Sequence, residues 1–198
     1  MGMGWANNPA HFAVAQAPHL QMVGSRTGAI GRDFYETPKI ATEALLAAEP
    51  MPYVIWEPAC GTGAISKVLE AHGHKVISTD LHDYGYGRPH QDFFGHVHGL
   101  ATTIITNPPY GCADEFVEHA CRLCPKVAVL LRLQWLESQR RREGIFARHR
   151  LARVLVFSKR LPMMHQEGWE GPRSTSTIAY AWFVFHRDWD GKPEIDWV

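Results

Sequence analysis

The sequence predicts an α/β protein whose sheet is mostly parallel, with about seven strands, helices on both faces and a C-terminal antiparallel hairpin. Short apolar runs, typical of strands buried on both faces, alternate along the chain with segments of helical periodicity. This alternation indicates parallel strands joined by helical crossovers. The last two apolar runs are separated by a loop rich in glycine and proline, and these two strands are therefore predicted to form the hairpin.

Each predicted strand is a short run rich in apolar and β-branched residues. The runs cover residues 53–56, 75–79, 102–106, 126–133, 153–157 and 177–185. Helices are predicted at 37–48, 64–72 and 112–124, and over a basic stretch at 135–150. Pro38 lies in the first turn of the first helix, where proline is favoured, and Pro50 ends that helix. Between Asp80 and the third strand, only a rudimentary element is predicted, just before Asp92.

Composition and charge exclude several classes of protein. The chain of 198 residues is 45% hydrophobic and 11% aromatic, so it can bury a core and global disorder is excluded. Twenty basic and twenty acidic residues give a formal charge of zero, which excludes a polybasic coat protein and confines any nucleic-acid surface to a local patch. No apolar run reaches the roughly 18 residues of a membrane span, and the N-terminus lacks the pattern of a secretory signal. We therefore expect a cytoplasmic protein without membrane association.

The chain length predicts one folded domain with an extension. Residues 1–32 are rich in glycine, alanine, asparagine and proline without an apolar period, and this composition predicts a flexible N-terminal extension. Residues 33–198 are predicted to form a single domain. Cys121 and Cys124 have C-x-x-C spacing, but the sequence contains no second such pair, so no metal site is predicted.

The segment EPACGTG, residues 57–63, follows the first predicted strand and precedes a helix. Gly61 and Gly63 permit a tight turn and the close approach of a ligand, and the helix N-terminus favours an anionic group. A purely structural turn remains an alternative. A dinucleotide-binding fold would have a third glycine where this chain has Ser66, which disfavours a nicotinamide oxidoreductase. Asp80 ends the next strand, where its carboxylate could accept hydrogen bonds from both hydroxyls of a ribose or simply cap a helix.

The segment NPPY, residues 107–110, directly follows the third predicted strand. Two consecutive prolines restrict the chain to an extended turn and contribute no N–H donors. The side-chain oxygen of Asn107 and the carbonyl of Pro108 then become rigid acceptors suited to both hydrogens of a planar NH2 group. Tyr110 supplies a flat apolar surface on which a ring can stack.

Together these segments resemble the class I S-adenosylmethionine-dependent methyltransferases. More narrowly, the chain is similar to the amino methyltransferases that modify the exocyclic N6 of adenine in DNA, especially the small prophage-type enzymes. The resemblance covers about residues 33–187 and is carried by DFYETP (33–38), EPACGTG (57–63), Asp80, DFF (92–94), NPPY (107–110), LLRLQWLESQRR (130–141) and AYAWFVF (179–185). NPPY alone would not separate DNA adenine methylation from RNA adenine or protein glutamine methylation, and the combination of segments narrows the choice.

The resemblance implies a Rossmann-like methyltransferase domain at 33–198 that uses S-adenosylmethionine, forms S-adenosylhomocysteine and requires no metal. It also implies the following site. Tyr35, Thr37 and Pro38 lie beside the methionine portion of the cofactor, which Glu57, Ala59, Gly61 and Gly63 wrap. Asp80 holds the ribose, Asp92 accepts a hydrogen bond from the cofactor adenine and Phe93 packs on its ring. Asn107, Pro108, Pro109 and Tyr110 form the catalytic segment, in which Asn107 also borders the cofactor.

A local basic stretch predicts the nucleic-acid surface. Residues 132–160 contain nine basic and two acidic side chains. Such polarity suits one face directed at phosphates, although a solvated basic helix is the alternative. The predicted contacts are Arg140, Arg141, Arg142, Lys159 and Arg160. Relatives often place an aromatic residue that stacks on the flipped base in the loop after Phe157; here Met163 has that position, and Trp169 is the candidate substitute.

The expected activity is methyl transfer to adenine N6 in DNA with base flipping. Sequence specificity is expected to be low, because the chain lacks the large extra domain with which many such enzymes recognise DNA. RNA adenine methylation, protein glutamine methylation, cytosine N4 methylation and a non-catalytic cofactor-binding partner subunit are the alternatives. Both a monomer and a homodimer are compatible with the sequence.

Overall fold

The structure is a computed structural model that describes residues 36–163 and 178–198. Its seven strands are β1 Val54–Glu57, β2 Lys75–Ser78, β3 Thr103–Thr106, β4 Lys126–Arg132, β5 Leu151–Val156, β6 Tyr180–His186 and β7 Glu194–Trp197. They form one sheet in the order β2-β1-β3-β4-β6-β5-β7. β6 is antiparallel to both β4 and β5, whereas the other neighbouring strands are parallel. The sequence therefore correctly predicts a mostly parallel sheet with an antiparallel pair near its C-terminus.

Five α-helices accompany the sheet: α1 Lys39–Ala48, α2 Ala64–Ala71, α3 Ala113–Leu123, α4 Gln139–Glu143 and α5 Ile145–Arg148. Short 3-10 helices cover Phe93–Gly95, Tyr110–Cys112 and Leu133–Leu136. Helices cover both faces of the sheet, as predicted.

Two apolar clusters form the core, one on each face of the sheet. Successive strand side chains point to opposite faces, so Trp182 packs in one cluster and the adjacent Phe183 in the other. The cluster that contains Trp182 also contains Leu45 of α1 and Leu69 of α2. The cluster that contains Phe183 also contains Phe116 of α3. The fully buried Trp182 also donates an indole hydrogen bond to the Ala41 carbonyl at 2.7 Å, which fixes α1 against β6.

Two elements differ from the sequence predictions. The predicted helix at 135–150 is a 3-10 turn followed by α4 and α5, which are interrupted at Gly144, where φ and ψ are both −97°. The strand β7 was not predicted, because all four of its residues are exposed and it lacks an apolar run. β7 forms through parallel pairing with β5, a tertiary contact rather than a local preference.

The predicted extension at residues 1–32 lies outside the described residues and stays a prediction. Within 36–163 and 178–198, no helix is long and apolar enough to cross a bilayer.

Candidate active site

The unusual segments lie at the carboxyl ends of three neighbouring parallel strands. The Gly-rich turn follows β1, Asp80 lies two residues after β2, and Asn107 directly follows β3. In parallel α/β sheets, ligands bind beyond this edge. Sheet topology therefore brings these predicted residues together at one edge.

The Gly-rich turn requires glycine at two positions. Gly61 and Gly63 have φ values of +54° and +84°, in the left-handed region that side chains disfavour. A Cβ on Gly63 would lie 2.5 Å from the ring of Tyr86, so the space beside it is already filled by this chain. Gly63 immediately precedes α2, and the predicted strand–turn–helix arrangement is therefore present.

Asp80 links the Gly-rich turn to the loop after β2. One carboxylate oxygen, Oδ2, accepts a hydrogen bond from the Gly61 N–H at 2.8 Å, and Oδ1 accepts one from the His82 N–H at 2.9 Å. The residue is only 7% exposed. A carboxylate has about four acceptor positions, so two hydrogen bonds leave capacity for two more. Asp80 thus shapes the turn and keeps the acceptor chemistry that a ribose requires.

Glu57 is buried at the end of β1, with 2% of its surface exposed. Its Oε2 accepts hydrogen bonds from the Ser66 N–H, at 2.9 Å, and from the Ser66 hydroxyl. Ser66 Oγ is also 2.6 Å from Ser78 Oγ of β2. The pKa of Glu57 is raised to about 8, mainly because the carboxyl is buried; the Ser66 hydrogen bonds oppose the rise, and the negative charges of Asp80 and Glu70 add to it. Glu57 therefore joins β1 and β2 to the first turn of α2.

The raised pKa of Glu57 predicts a pH-dependent stability. Between the usual carboxyl pKa of 4.5 and the folded-state value of about 8, the folded protein binds more protons than the unfolded chain. The free energy of unfolding should therefore fall as pH rises through this window. Glu57→Gln, which is uncharged throughout, should remove most of this fall. Urea unfolding of both proteins between pH 5 and pH 9 measures the difference.

Glu70→Gln is the control for this measurement, because Glu70 is exposed and adds only a smaller Coulombic contribution to the shift. The control should keep most of the pH dependence. Parallel pH profiles for Glu57→Gln and the unaltered protein would contradict the prediction.

Two consecutive residues before α1 connect the Gly-rich turn to the NPPY segment. Glu36 Oε1 accepts a hydrogen bond from the Thr62 hydroxyl at 2.8 Å. The adjacent Thr37, which is 5% exposed, accepts a hydrogen bond at Oγ1 from the Asn107 side-chain Nδ2 at 3.1 Å. Residues 36–37 therefore hold the turn after β1 and the turn after β3 beside each other. Sequence reasoning placed Thr37 at the cofactor and did not identify Glu36 or Thr62.

The NPPY segment has the extended geometry expected from its prolines. Pro109 has φ −56° and ψ 124°, and Pro108 is buried. Thr37 holds the nitrogen branch of the Asn107 amide, so the oxygen branch points away from Thr37. The ring of Tyr110 lies 6.2 Å from that of Tyr180, and the Arg132 guanidinium lies 5.2 Å from the Tyr110 ring centroid.

The DFF segment places its two phenylalanines differently. Asp92 is exposed and its Oδ1 caps the following 3-10 helix through the Phe94 N–H at 3.0 Å. Phe93 is buried and stacks on Phe116 of α3, with ring centroids 4.1 Å apart, so one face of its ring is already covered. Phe94, which sequence reasoning did not single out, is 46% exposed. The cofactor contacts of Asp92 and Phe93 stay predictions.

The predicted arginines of the basic stretch have different surroundings. Arg141 donates to Asp114 Oδ1 at 3.3 Å and to the carbonyls of Trp135 and Glu137 at 2.7 and 2.6 Å. Arg140 forms longer ion pairs with Glu115 and Asp114, at 3.5 and 3.8 Å. Acidic residues of α3 therefore compensate part of the charge that the sequence predicted to face phosphates.

The remaining predicted nucleic-acid residues differ in their exposure. Arg142, Lys159 and Arg160 are exposed, whereas Met163 is 1% exposed and packs in the core with Leu161. Its nucleic-acid contact stays a prediction. Tyr35 and Trp169 lie outside the described residues.

The described cysteines and carboxylates do not suggest a metal centre. In residues 36–163 and 178–198, no three His, Cys, Asp or Glu side chains are grouped closely enough to hold an ion. All four cysteines are free thiols. Burial raises the pKa of Cys60 to about 12 and that of Cys124 to about 11, which keeps both thiols protonated at neutral pH.

The fold is a Rossmann-like methyltransferase fold. The chain superposes on the "putative RNA methyltransferase" of Pyrococcus horikoshii with a TM-score of 0.57 and 17% identity, over 77% of this chain and 86% of the other. It is similar to a predicted O-methyltransferase of Agrobacterium tumefaciens with a TM-score of 0.52 and 13% identity, over 81% and 85% of the two chains.

A third similar structure is the type I restriction-modification methyltransferase subunit of Streptococcus thermophilus, with a TM-score of 0.53 and 12% identity. The alignment covers 79% of this chain but only 46% of that subunit, so this chain spans about half of the subunit's length. Neither a protein-family model nor a curated protein sequence matches the chain.

Proposed function

We propose that this protein transfers a methyl group from S-adenosylmethionine to the exocyclic N6 amine of adenine in DNA. The observation that carries the proposal is the contact between Asn107 and Thr37. It fixes the side-chain amide of Asn107, whose Nδ2 lies 3.1 Å from the Thr37 hydroxyl, at the edge of the sheet where the Gly-rich turn and Asp80 also lie. The methyltransferase fold and the position of Asn107 beside the Gly-rich turn support the same reaction.

The residues present fit the proposed cofactor. Asp80 has acceptor capacity for the two ribose hydroxyls, and the turn at Gly61 lies directly beyond the end of β1. Thr62 belongs to this turn and Thr37 contacts Asn107, and the methionine portion would bind beside these two side chains. When bound, S-adenosylmethionine would supply a methyl group activated by a positively charged sulfur.

Asn107 and Pro108 would prepare the amine for attack. Adenine N6 is a poor nucleophile because its lone pair is delocalised into the ring. Acceptance of both N6 hydrogens by the Asn107 side-chain oxygen and the Pro108 carbonyl favours a pyramidal nitrogen and directs its lone pair out of the ring plane. The contribution is orientation and electrostatic stabilisation. No residue has to remove a proton first, because the methylated ammonium is far more acidic than the parent amine.

Tyr110 would bind the target base after it leaves the DNA stack. Flipping a base out of a duplex costs a few kcal/mol, and stacking on an aromatic ring compensates part of that cost. Tyr110 packs against both apolar clusters, so its ring is held in place before a base arrives. The Arg132 guanidinium lies 5.2 Å from the Tyr110 ring centroid, so a flipped nucleotide would bind Tyr110 beside a positive charge.

The test is incubation with radiolabelled S-adenosylmethionine and separate pools of DNA, RNA and protein, followed by digestion to nucleosides or amino acids. We expect label in N6-methyladenine from DNA. Label in RNA, in glutamine or in N4-methylcytosine would instead support one of the alternative substrates. Absence of label in every pool, together with measurable cofactor binding, would support a non-catalytic subunit.

Removal of the Thr37 hydroxyl is expected to lower turnover. Thr37→Val keeps the shape of the side chain but removes the acceptor for Asn107 Nδ2, so the amide can rotate away from the target amine. We expect kcat to fall about tenfold, the typical effect of losing one hydrogen bond of about 1.4 kcal/mol. Steady-state kinetics with DNA as the varied substrate measures this change.

Thr37→Ser restores the hydroxyl and should recover most of kcat, which separates the hydrogen bond from simple packing. Equal kcat values for the valine and serine variants would contradict a positioning role for this hydroxyl.

A further inference from the structure

A cleft of about 970 Å³ lies between the helices α4 and α5 and the start of β7. Arg142, Arg148 and Arg150 line it, and Phe146, Leu151 and Ile195 supply apolar surface. We call this surface the basic cleft. None of the residues of the predicted cofactor site lines it.

Within the described part of the chain, the basic cleft is lined by arginines and by no acidic residue. Arg148 is neutralised by two hydrogen bonds to Glu118, at 2.9 and 3.2 Å. Arg142 and Arg150, in contrast, are exposed and have no side-chain hydrogen bond or ion pair with any residue in 36–163 or 178–198. Two uncompensated positive charges therefore face a large cleft in a chain whose formal charge is zero.

The basic cleft and the surface beside Tyr110 share one lining residue, Ser138. A second groove, of about 370 Å³, has a lining that includes Tyr110, Arg132, Glu137 and Ser138. Ser138 lines both the groove and the basic cleft. A polymer whose reactive unit lies at Tyr110, at the carboxyl edge of the sheet, would pass Ser138 and run along α4 and α5 towards the start of β5 to reach Arg142 and Arg150.

The basic cleft has the chemistry of a surface that binds a nucleic-acid strand. Arginines along a groove neutralise successive phosphates, and a partly exposed aromatic ring offers a stacking surface that tolerates any base. Phe146 is such a ring, since it is half-buried and anchored edge-on to Trp135 with ring centroids 5.2 Å apart. The structure thus favours Arg142 and Arg150 over Arg140 and Arg141, which are paired with acids of α3.

We propose that the basic cleft binds the nucleic-acid strand that flanks the target base, through phosphate contacts at Arg142 and Arg150 and stacking on Phe146. This proposal rests on the proposed function, because it takes the polymer at Tyr110 to be the methylated nucleic acid.

The test compares the Arg142→Ala/Arg150→Ala double variant with the unaltered chain. Binding of a fluorescein-labelled single-stranded DNA oligonucleotide is measured over a range of salt concentrations. We expect the double variant to bind about tenfold more weakly at low salt. The slope of log K against log salt should fall by about 1.4, since each lost phosphate contact on a single strand contributes about 0.7. Thermal unfolding should be unchanged, because neither side chain has a partner within the described residues.

The matched control is Lys75→Ala/Arg122→Ala, which removes two exposed positive charges at the start of β2 and near the end of α3. This control should keep both the affinity and the salt slope. An unchanged salt slope in the Arg142→Ala/Arg150→Ala variant would overturn the proposal. The proposal would also be overturned if polyglutamate bound in a way that depends on Arg142 and Arg150 while the oligonucleotide did not bind. That result would indicate an acidic protein partner.

Methyl transfer to DNA is measured on the same preparations, which separates the two proposals. If the unaltered chain methylates DNA while the double variant keeps its affinity for the oligonucleotide, the proposal for the basic cleft is wrong and the proposed function is supported. If the oligonucleotide binds through Arg142 and Arg150 but no methyl group is transferred to DNA, RNA or protein, the proposed function is wrong and nucleic-acid binding by the basic cleft is supported.

Discussion

Asn107→Ala is expected to lower the rate of methyl transfer by about 10²- to 10³-fold, the usual effect of removing one preorganised hydrogen-bonding group from an active site. The variant loses the acceptor for the target amine and the donor to Thr37, while β3 and the Gly-rich turn are untouched. Affinity for S-adenosylmethionine should therefore change little. Single-turnover methylation and isothermal titration with the cofactor measure the two quantities separately.

Asn107→Asp is the matched variant for this experiment. Its carboxylate keeps an acceptor for the amine, and the Thr37 hydroxyl can reverse its role and donate to the second oxygen. It should retain far more transfer than the alanine variant. Full transfer by Asn107→Ala would show that the amine is not held by this side chain and would remove the basis of the proposed site.

Asp80→Asn should destabilise the Gly-rich turn and weaken cofactor binding together. The two Asp80 oxygens accept from the N–H groups of Gly61 and His82, and an asparagine has one oxygen to offer them. One buried N–H would then face an NH2 group, which costs about 1–3 kcal/mol. We expect the free energy of unfolding to fall by that amount and the cofactor dissociation constant to rise roughly tenfold or more. Urea unfolding and calorimetric titration check these values.

Asp83→Asn provides the control within the same loop. Asp83 Oδ1 also accepts a backbone hydrogen bond, from the Gly85 N–H at 2.8 Å, but the residue is exposed and water can replace the contact. This variant should keep both stability and cofactor affinity. Normal cofactor binding by Asp80→Asn would mean that Asp80 serves only the turn.

The central strands were predictable because each is a short apolar run buried on both faces of the sheet. The stretch 135–150 was not, because its composition suggests one helix whereas the chain bends at Gly144 between α4 and α5. β7 has alternating acidic and apolar residues over only four positions, and its pairing partner β5 lies about 40 residues earlier in the chain. Local pattern cannot identify a strand that exists only through such pairing.

The positions of Gly61, Asp80 and Asn107 were predictable, because they depend only on where β1, β2 and β3 end, whereas the roles of these residues stay predictions. Contacts between distant segments were not predictable. The hydrogen bonds Thr62–Glu36 and Asn107–Thr37 join residues 26 and 70 positions apart. The same limit affected the basic stretch, because the sequence could not show that Asp114 of α3 would lie against Arg141.

The outermost strand, β7, has consequences for behaviour at high concentration. Within the described residues it is hydrogen-bonded to β5 alone, so the backbone along its other side is open to a strand from another molecule. Glu194 and Asp196 are each exposed on this strand, and both approach Arg153 of β5. If two copies aligned along this border, their carboxylates would come together and repel each other. Within residues 36–163 and 178–198, the acidic side chains of β7 therefore disfavour the pairing of this edge with a second copy of the protein.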